Sequence, residues 1–331
     1  MGDIVDPASR LQKLIKQQNP RFASGFRLLV KQIKRDVDLV EIAALIEAGR
    51  LEEALTITLA RTPRLGNLWV DSYLEAAKDT AKFLNREVAS IVIDFDQTNP
   101  FAMRLARENQ LRLVTGFGDV QRRATREALI DGIQTGANPI QQARNFKDSI
   151  GLTERQVRAV NNYKRLLREG SAEALDRKLR DKRFDRTVRR AIESGKPLTE
   201  AQLNKMTDRY RERYLQYRSR VIARTEALKS VHQGKHSMYQ QAIENGDLDA
   251  NNLMQEWETS LRDNVRDSHA DMHGQVQPWG QMFISGKGNA TEFPGGFGVP
   301  EEDIQCACAV GTRIPRITAP GGVSVTVVEG I

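Results

Sequence analysis

Pro197-Leu198-Thr199-Glu200-Ala201-Gln202 opens the longest regular stretch of this chain. Leu203, Met206, Tyr210, Tyr214, Tyr217, Val221, Arg224, Leu228 and Val231 follow at spacings of three and four, with no glycine until Gly234. That period puts them on one face of an α-helix. Thr199 three residues before Gln202 has the form of a capping box, in which the first turn satisfies its own backbone donors. Such a helix spans about 50 Å at about 1.5 Å per residue, and it sets the expected class as mainly α. The tyrosine row lies on the apolar stripe, so it reads as core or interface packing rather than a base-stacking platform.

Toward the N-terminus the same period recurs. Residues 8–18 read as a short amphipathic helix stopped near Asn19-Pro20, because proline lacks an N–H and disfavours helix in the residue before it. Phe26, Leu29, Ile33, Val37, Val40 and Ala44 form the next stripe, closed by Gly49. Residues 50–61 make a further helix broken at Pro63 and Gly66, followed by the stripe Trp69, Tyr73, Ala76, Thr80 and Phe83. Residues 91–95 fit either a strand or a helix end. Gly116 and Gly118 flank an expected turn, with Asp119 as N-cap of a helix over 120–133. After a break at 136–139, Thr153 and Gln156 repeat the capping-box spacing before Val157, Val160 and Leu167. The expected architecture is an elongated helical region over 1–196, a module over 197–315 made of the long helix and a small α+β unit, and a tail over 316–331.

The chain has 331 residues, 40% hydrophobic and 28% charged, which fits a folded protein rather than a disordered one. No apolar run approaches the ~20 residues of a membrane span, and the first residues lack the basic and apolar regions of a signal peptide. The expectation is a soluble protein made in a cytosol. Its net charge of +7 is uneven: residues 155–220 carry 20 Lys and Arg against 9 Asp and Glu. Such a segment can neutralise phosphates with release of counterions. The competing reading is a solvated helical face with i,i+4 ion pairs. Arg183, Arg186, Arg189 and Arg190 are the candidate nucleic-acid contacts, a reading that requires them to lie on the solvated side of the Val188 and Ile192 stripe. No groove-reading motif accompanies them, so any DNA contact is expected to be non-specific.

After Asn245-Gly246-Asp247 the helical period stops and glycine, proline and aromatic residues rise. Residues 255–259 read as a strand, 264–273 as a short helix and 283–284 as another strand. This region holds both cysteines and two of the four histidines. A Cys-x-Cys pair such as Cys306 and Cys308 is poorly placed for a disulfide, which needs a particular Cα separation and orientation. His269 and His273, four apart, share a helical face. With Cys306 and Cys308 they form a candidate Cys2His2 tetrahedral zinc site that would close a module poor in apolar residues. Other readings stay open. The cysteines can be small buried hydrophobes beside a core histidine. Cys306 or Cys308 can be a nucleophile activated by His269 and oriented by Asp263 or Asp271. A three-ligand metallohydrolase would need Glu256, Glu258 or Asp271 as its base.

Ile222-Ala223-Arg224-Thr225-Glu226, then Trp257 with Thr259, then Asp263, Arg266 and His269 at three-residue intervals, then Gly274 and Cys306-Ala307-Cys308, together resemble the phage Mu F-like minor head protein family. The resemblance covers about residues 200–312 and gives Arg224, Glu226, Trp257, Asp263 and Arg266 the standing of structural motif residues. Two features depart from the family: Gln305-Cys306-Ala307-Cys308 stands where Asn-Cys-Arg-Cys is usual, and His273 where an acid is usual. The resemblance implies a non-enzymatic, low-copy virion component made in the host bacterial cytoplasm. It would enter the inner head during assembly, associate with the portal protein or the major capsid protein, and in some phages accompany packaged DNA into the cell. The alternative is a metal- or cysteine-dependent enzyme acting on nucleic acid or protein.

Overall fold

A computed structural model describes residues 4–60, 62–88, 92–134, 136–260, 265–314, 316–318 and 324–326. Mainly α in class, it begins with β1 (Ile4–Asp6), followed by α1 (Ala8–Asp36), α2 (Leu39–Glu47), α3 (Leu51–Leu59), α4 (Pro63–Glu87), α5 (Pro100–Gln134), α6 (Pro139–Ser149), α7 (Glu154–Arg168), α8 (Asp185–Ser194) and α9 (Glu200–Glu244). The C-terminal part holds β2 (Met254–Glu258), α10 (Asp267–Ala270), β3 (Val276–Pro278), β4 (Phe283–Ile284), β5 (Ala290–Thr291), α11 (Pro300–Asp303), β6 (Ala309–Ile314), β7 (Arg316–Thr318) and β8 (Ser324–Thr326). The strands are antiparallel. One sheet has the order β1-β6-β2-β3, and β4 with β5 and β7 with β8 form two-stranded pairs.

Several helix ends fall where local chemistry puts them. Thr199 and Gln202 bond each other's backbone N–H at 3.3 and 2.9 Å, and Thr153 and Gln156 do the same at 3.3 and 3.0 Å. Asn138 caps α6, with Pro139 in its first turn. Elsewhere tertiary packing overrides the breakers. Proline costs about 3 kcal/mol in a helix interior, yet α1 runs through Pro20 because Leu11, Ile15, Phe22, Phe26, Leu29 and Ile33 continue one buried stripe across it. The stripe expected to reach Ala44 ends sooner. Asp38 accepts from the Val40 and Glu41 amides and starts α2, which leaves Val40 exposed.

Gly66 does not break a helix, and Gly116 and Gly118 make no turn. All three are helical, within α4 and α5, where each costs about 1 kcal/mol relative to alanine. Burial of Phe117 offsets part of that cost: its ring meets Phe26 edge-on at 5.9 Å. Residues 92–95 are neither helix nor strand. The Asn85 side chain takes both backbone bonds of Ile93 in place of a strand partner, at 2.6 and 2.7 Å. Residue 91 lies outside the described residues.

Packing gathers the chain into two compact units. The first comprises residues 1–23, 66–110 and 221–331, the second residues 24–65 and 111–220. The second unit has its core on Tyr163, Leu166, Leu167, Val188, Leu203 and Tyr210, and the Tyr163 and Tyr210 rings lie 4.3 Å apart. In the first unit, α4 packs on the second half of α9 around Trp69, Tyr73, Ala76 and Tyr239. The two helices come closest at Gly234, where an added Cβ would stand 2.3 Å from the Tyr73 carbonyl oxygen and 2.8 Å from Ala76 Cβ. Gly234→Ala, although better for the isolated helix, is therefore expected to lower the unfolding free energy by about 1–3 kcal/mol through overpacking. Urea titration of purified protein measures that change.

Candidate metal centre

The module of the first unit is built on the antiparallel pairing of β2 with β6, which sets Trp257 opposite Val310 and Glu258 opposite Ala309. Strand alternation turns Trp257 inward, where it is fully buried. Its indole lies 5.3 Å from the Phe283 ring, 5.9 Å from Phe297 and 6.0 Å edge-on from the His269 imidazole. Phe297 stacks on His269 at 5.4 Å, so the three rings form a triangle. Two aromatic rings thus hold the imidazole in one orientation.

His269 comes from α10, and Cys306 and Cys308 from the segment entering β6. His269 Nδ1 stands 3.6 Å from Cys306 Sγ and 3.5 Å from Cys308 Sγ, and all three donor atoms lie within 4.8 Å of one another. A tetrahedral ion with metal–nitrogen bonds of about 2.0 Å and metal–sulfur bonds of about 2.3 Å would set nitrogen and sulfur about 3.5 Å apart. The spacing therefore fits, and the cluster can hold a metal. The three residues are 1–3% exposed.

Behind the imidazole sits Glu302, on α11, fully buried. Its Oε2 is 2.8 Å from His269 Nε2, although the N–H does not line up as a hydrogen bond. Oε2 accepts from the Ser268 hydroxyl at 2.9 Å, while Oε1 accepts from the Ser285 hydroxyl at 2.9 Å and the Asn289 amide at 3.2 Å. Burial pushes the carboxyl pKa up, but these bonds and the neighbouring imidazole outweigh it and hold it below the usual range. A carboxylate on the far nitrogen of a ligating histidine orients the ring and raises its basicity.

The thiols are electrostatically tense. The Cys308 thiol and amide bond the Cys306 sulfur, which lowers the Cys306 pKa against burial, and the resulting thiolate pushes Cys308 up. Burial pulls His269 down, but Cys306 and Glu302 hold it above its ordinary value. One thiolate is favoured and the second resisted, and a divalent cation removes that resistance. The Trp257 indole N–H is a buried donor with no hydrogen-bond partner, and it acts on Cys308 in the direction of the thiolate.

The other candidate residues lie as follows. His273 is exposed and outside the cluster, and its Nδ1 accepts from the Thr259 amide at 3.1 Å. The structure thus assembles three of the four proposed ligands. Arg266 donates to the Ile304 carbonyl and ties α10 to the cysteine segment. Glu226 is buried and Arg224 half-buried, and Thr225 between them bridges to that segment by accepting the Gln305 amide at 3.1 Å. Asp263 lies outside the described residues. Glu256 pairs with Arg313 on β6. Arg183, Arg186, Arg189 and Arg190 are exposed in the second unit. Arg183 is bound to Asp181 at 2.6 Å and Arg189 lies 3.8 Å from Asp185.

Sequence reasoning missed Glu302, Ser268 and Ser285, and it gave Thr225 no role within the quoted motif. The signal available was the acidic run Glu301-Glu302-Asp303 four residues before Cys306, in a segment otherwise short of charge. Asp303 has its own task, accepting the Phe297 and Gly298 amides at 3.1 and 2.9 Å and fixing the loop that carries Phe297.

Residues 182–311 match the family model described as Phage Mu protein F like protein, a bacteriophage head morphogenesis family. That stretch includes α8, α9 and every donor of the cluster. No curated protein and no solved structure matches the chain.

Gln305 is the non-glycine residue with positive φ among the described residues, at 60°. A left-handed conformation costs most L-residues about 1–2 kcal/mol, and asparagine tolerates it better. Gln305→Asn is therefore expected to raise the unfolding free energy by about 0.5–1 kcal/mol. An unchanged or lower urea midpoint would count against strain at this position.

Proposed function

We propose that this chain is a minor head protein of a tailed bacteriophage, carried in the inner head and acting in head assembly through contacts with the portal protein or the major capsid protein. It is made in the cytoplasm of the infected bacterium. Zinc is the proposed ion, since a tetrahedral sulfur and nitrogen donor set suits it. The observation that carries this reading is the coincidence of the family match over 182–311 with a buried donor cluster that joins α10 to the segment entering β6, an interior strand of the sheet. Three protein donors also describe catalytic zinc sites, which keep a position open to water. Here the donors are buried under Trp257 and Phe297, which favours a structural ion over an exposed reactive one.

Protein purified without chelator is expected to contain stoichiometric zinc, and EDTA is expected to lower its melting temperature. His269→Ala is expected to lose both the metal and the chelator effect, and to drop out of assembled particles when supplied in place of the wild type. Metal-free protein with an EDTA-insensitive melting temperature would remove zinc from the proposal. Incorporation of His269→Ala at wild-type levels would separate the module from assembly.

Contact with packaged DNA belongs to the same reading. Arg186 and Arg190 line a groove of about 580 Å³ with Lys196, and no acid among the described residues forms an ion pair with these three, whereas Arg183 and Arg189 face Asp181 and Asp185. Non-specific duplex binding should fall steeply with salt, each phosphate contact contributing about 0.9 to the log–log slope. Replacing both Arg186 and Arg190 with Gln is expected to reduce that slope by about 2, whereas Arg183→Gln changes it little. Absence of a salt slope in the wild type would leave only protein partners.

A further inference from the structure

The second unit holds a cleft of about 950 Å³ lined by α1, α5, α6, α7 and α9. Its walls are charged and amide-bearing, so an apolar ligand would gain little there. Its acids are already satisfied. Arg211 binds Asp148 at 3.2 Å and Asp208 at 2.5 Å, Arg168 binds Glu200 at 3.3 Å, and Glu212 pairs with Arg209. Lys164 and Arg168 act on Asp131.

Among the described residues, three lining cations form no direct ion pair. Arg144 is exposed. Lys147 reaches only the Val37 carbonyl, at 3.4 Å. Lys34 makes its one hydrogen bond to the Asp148 carbonyl at 3.3 Å. An ammonium has three donors, so Lys34 and Lys147 each keep two unused. Burial pushes the Lys34 amine down to about 8 although Asp148 and Asp208 act in the opposite direction, so the acids in place do not compensate for the burial of its charge. The wall also includes Thr207, 2% exposed, whose hydroxyl has no hydrogen-bond partner. A buried hydroxyl left in that state is costly, by about 1–3 kcal/mol.

We propose that this cleft binds phosphate groups, with Lys34, Arg144 and Lys147 as charge partners and the Thr207 hydroxyl as a donor from the wall. A phosphate offers several acceptor oxygens and more than one negative charge, which matches three spare cations and an unpaired hydroxyl better than a single carboxylate does. The volume admits two or more linked phosphates. The source is either a free polyphosphate or the phosphodiester backbone of a nucleic acid, since both present the same oxygens.

The test is calorimetric titration of the full chain with inorganic pyrophosphate, with ionic strength held constant by sodium chloride. Wild-type protein is expected to bind saturably. Arg144→Gln combined with Lys147→Gln, at solvent-accessible positions that leave the core intact, is expected to weaken binding by about tenfold or more. Lys34→Met and the near-isosteric Thr207→Val should each weaken it as well, with circular dichroism confirming that the helices persist. Arg86→Gln, at an exposed position of the first unit, should leave pyrophosphate binding unchanged. No saturable binding, or equal binding by wild type and the Arg144/Lys147 variant, overturns the proposal. A short duplex then distinguishes the sources. Displacement of pyrophosphate by the duplex assigns the cleft to a nucleic-acid backbone, and its failure to displace assigns it to a free polyphosphate.

Discussion

The C-terminal module depends on one buried negative charge. Glu302 takes donors from Ser268 beside His269, from Ser285 after β4 and from Asn289 before β5, so three segments converge on a single carboxylate. A lone buried carboxylate would cost several kcal/mol, and leaving any of its partners unpaired would return part of that cost. The arrangement is cooperative in that sense. The loops close only together, and closing them sets His269 where the two cysteine sulfurs meet it.

The second constraint lies at the other edge of the same sheet, where the start of the chain is drawn in. β1 pairs with β6, with Ile4 opposite Ile314 and Asp6 opposite Thr312. Asp6 is fully buried, bound by Arg10 at 2.7 and 3.0 Å and by the Tyr239 hydroxyl at 3.2 Å, with Lys235 3.5 Å away. Lys235 also donates to the Val310 carbonyl at 2.9 Å. A helix-borne lysine therefore joins the first strand to the strand that follows the cysteines. The family match begins at residue 182, yet the sheet of the matched module includes residues 4–6.

Much of the helical skeleton was legible because its causes are local. Thr199 with Gln202 and Thr153 with Gln156 cap helices through atoms three residues apart, and the three-and-four spacing of Leu203, Met206 and Tyr210 holds whatever packs against it. The errors share one cause. Pro20, Gly66, Gly116 and Gly118 each disfavour helix by about 1–3 kcal/mol, and each is carried through by apolar burial contributed from elsewhere in the chain. The site divides in the same way. His269, Cys306 and Cys308 stood out by residue type, while Glu302 looked like any surface acid, and His273 shared the expected helical face only if the helix ran the length of 264–273. It ends at Ala270.

The sequence by itself determined the class, the long helix with its cap, the place where helix gives way to a small mixed module, and the residues able to hold a soft metal. Those follow from periodicity, capping chemistry and side-chain identity, which act over a few residues. Only the tertiary structure decided that three of the four candidate donors converge, that a glutamate stands behind the imidazole, and that β1 completes the sheet. It also decided that, among the described residues, Arg183 and Arg189 meet an acid while Arg186 and Arg190 form no ion pair. Each of these depends on which distant segment arrives beside a residue, and the burial it meets there sets the cost of its charge. Neither spacing nor composition records that.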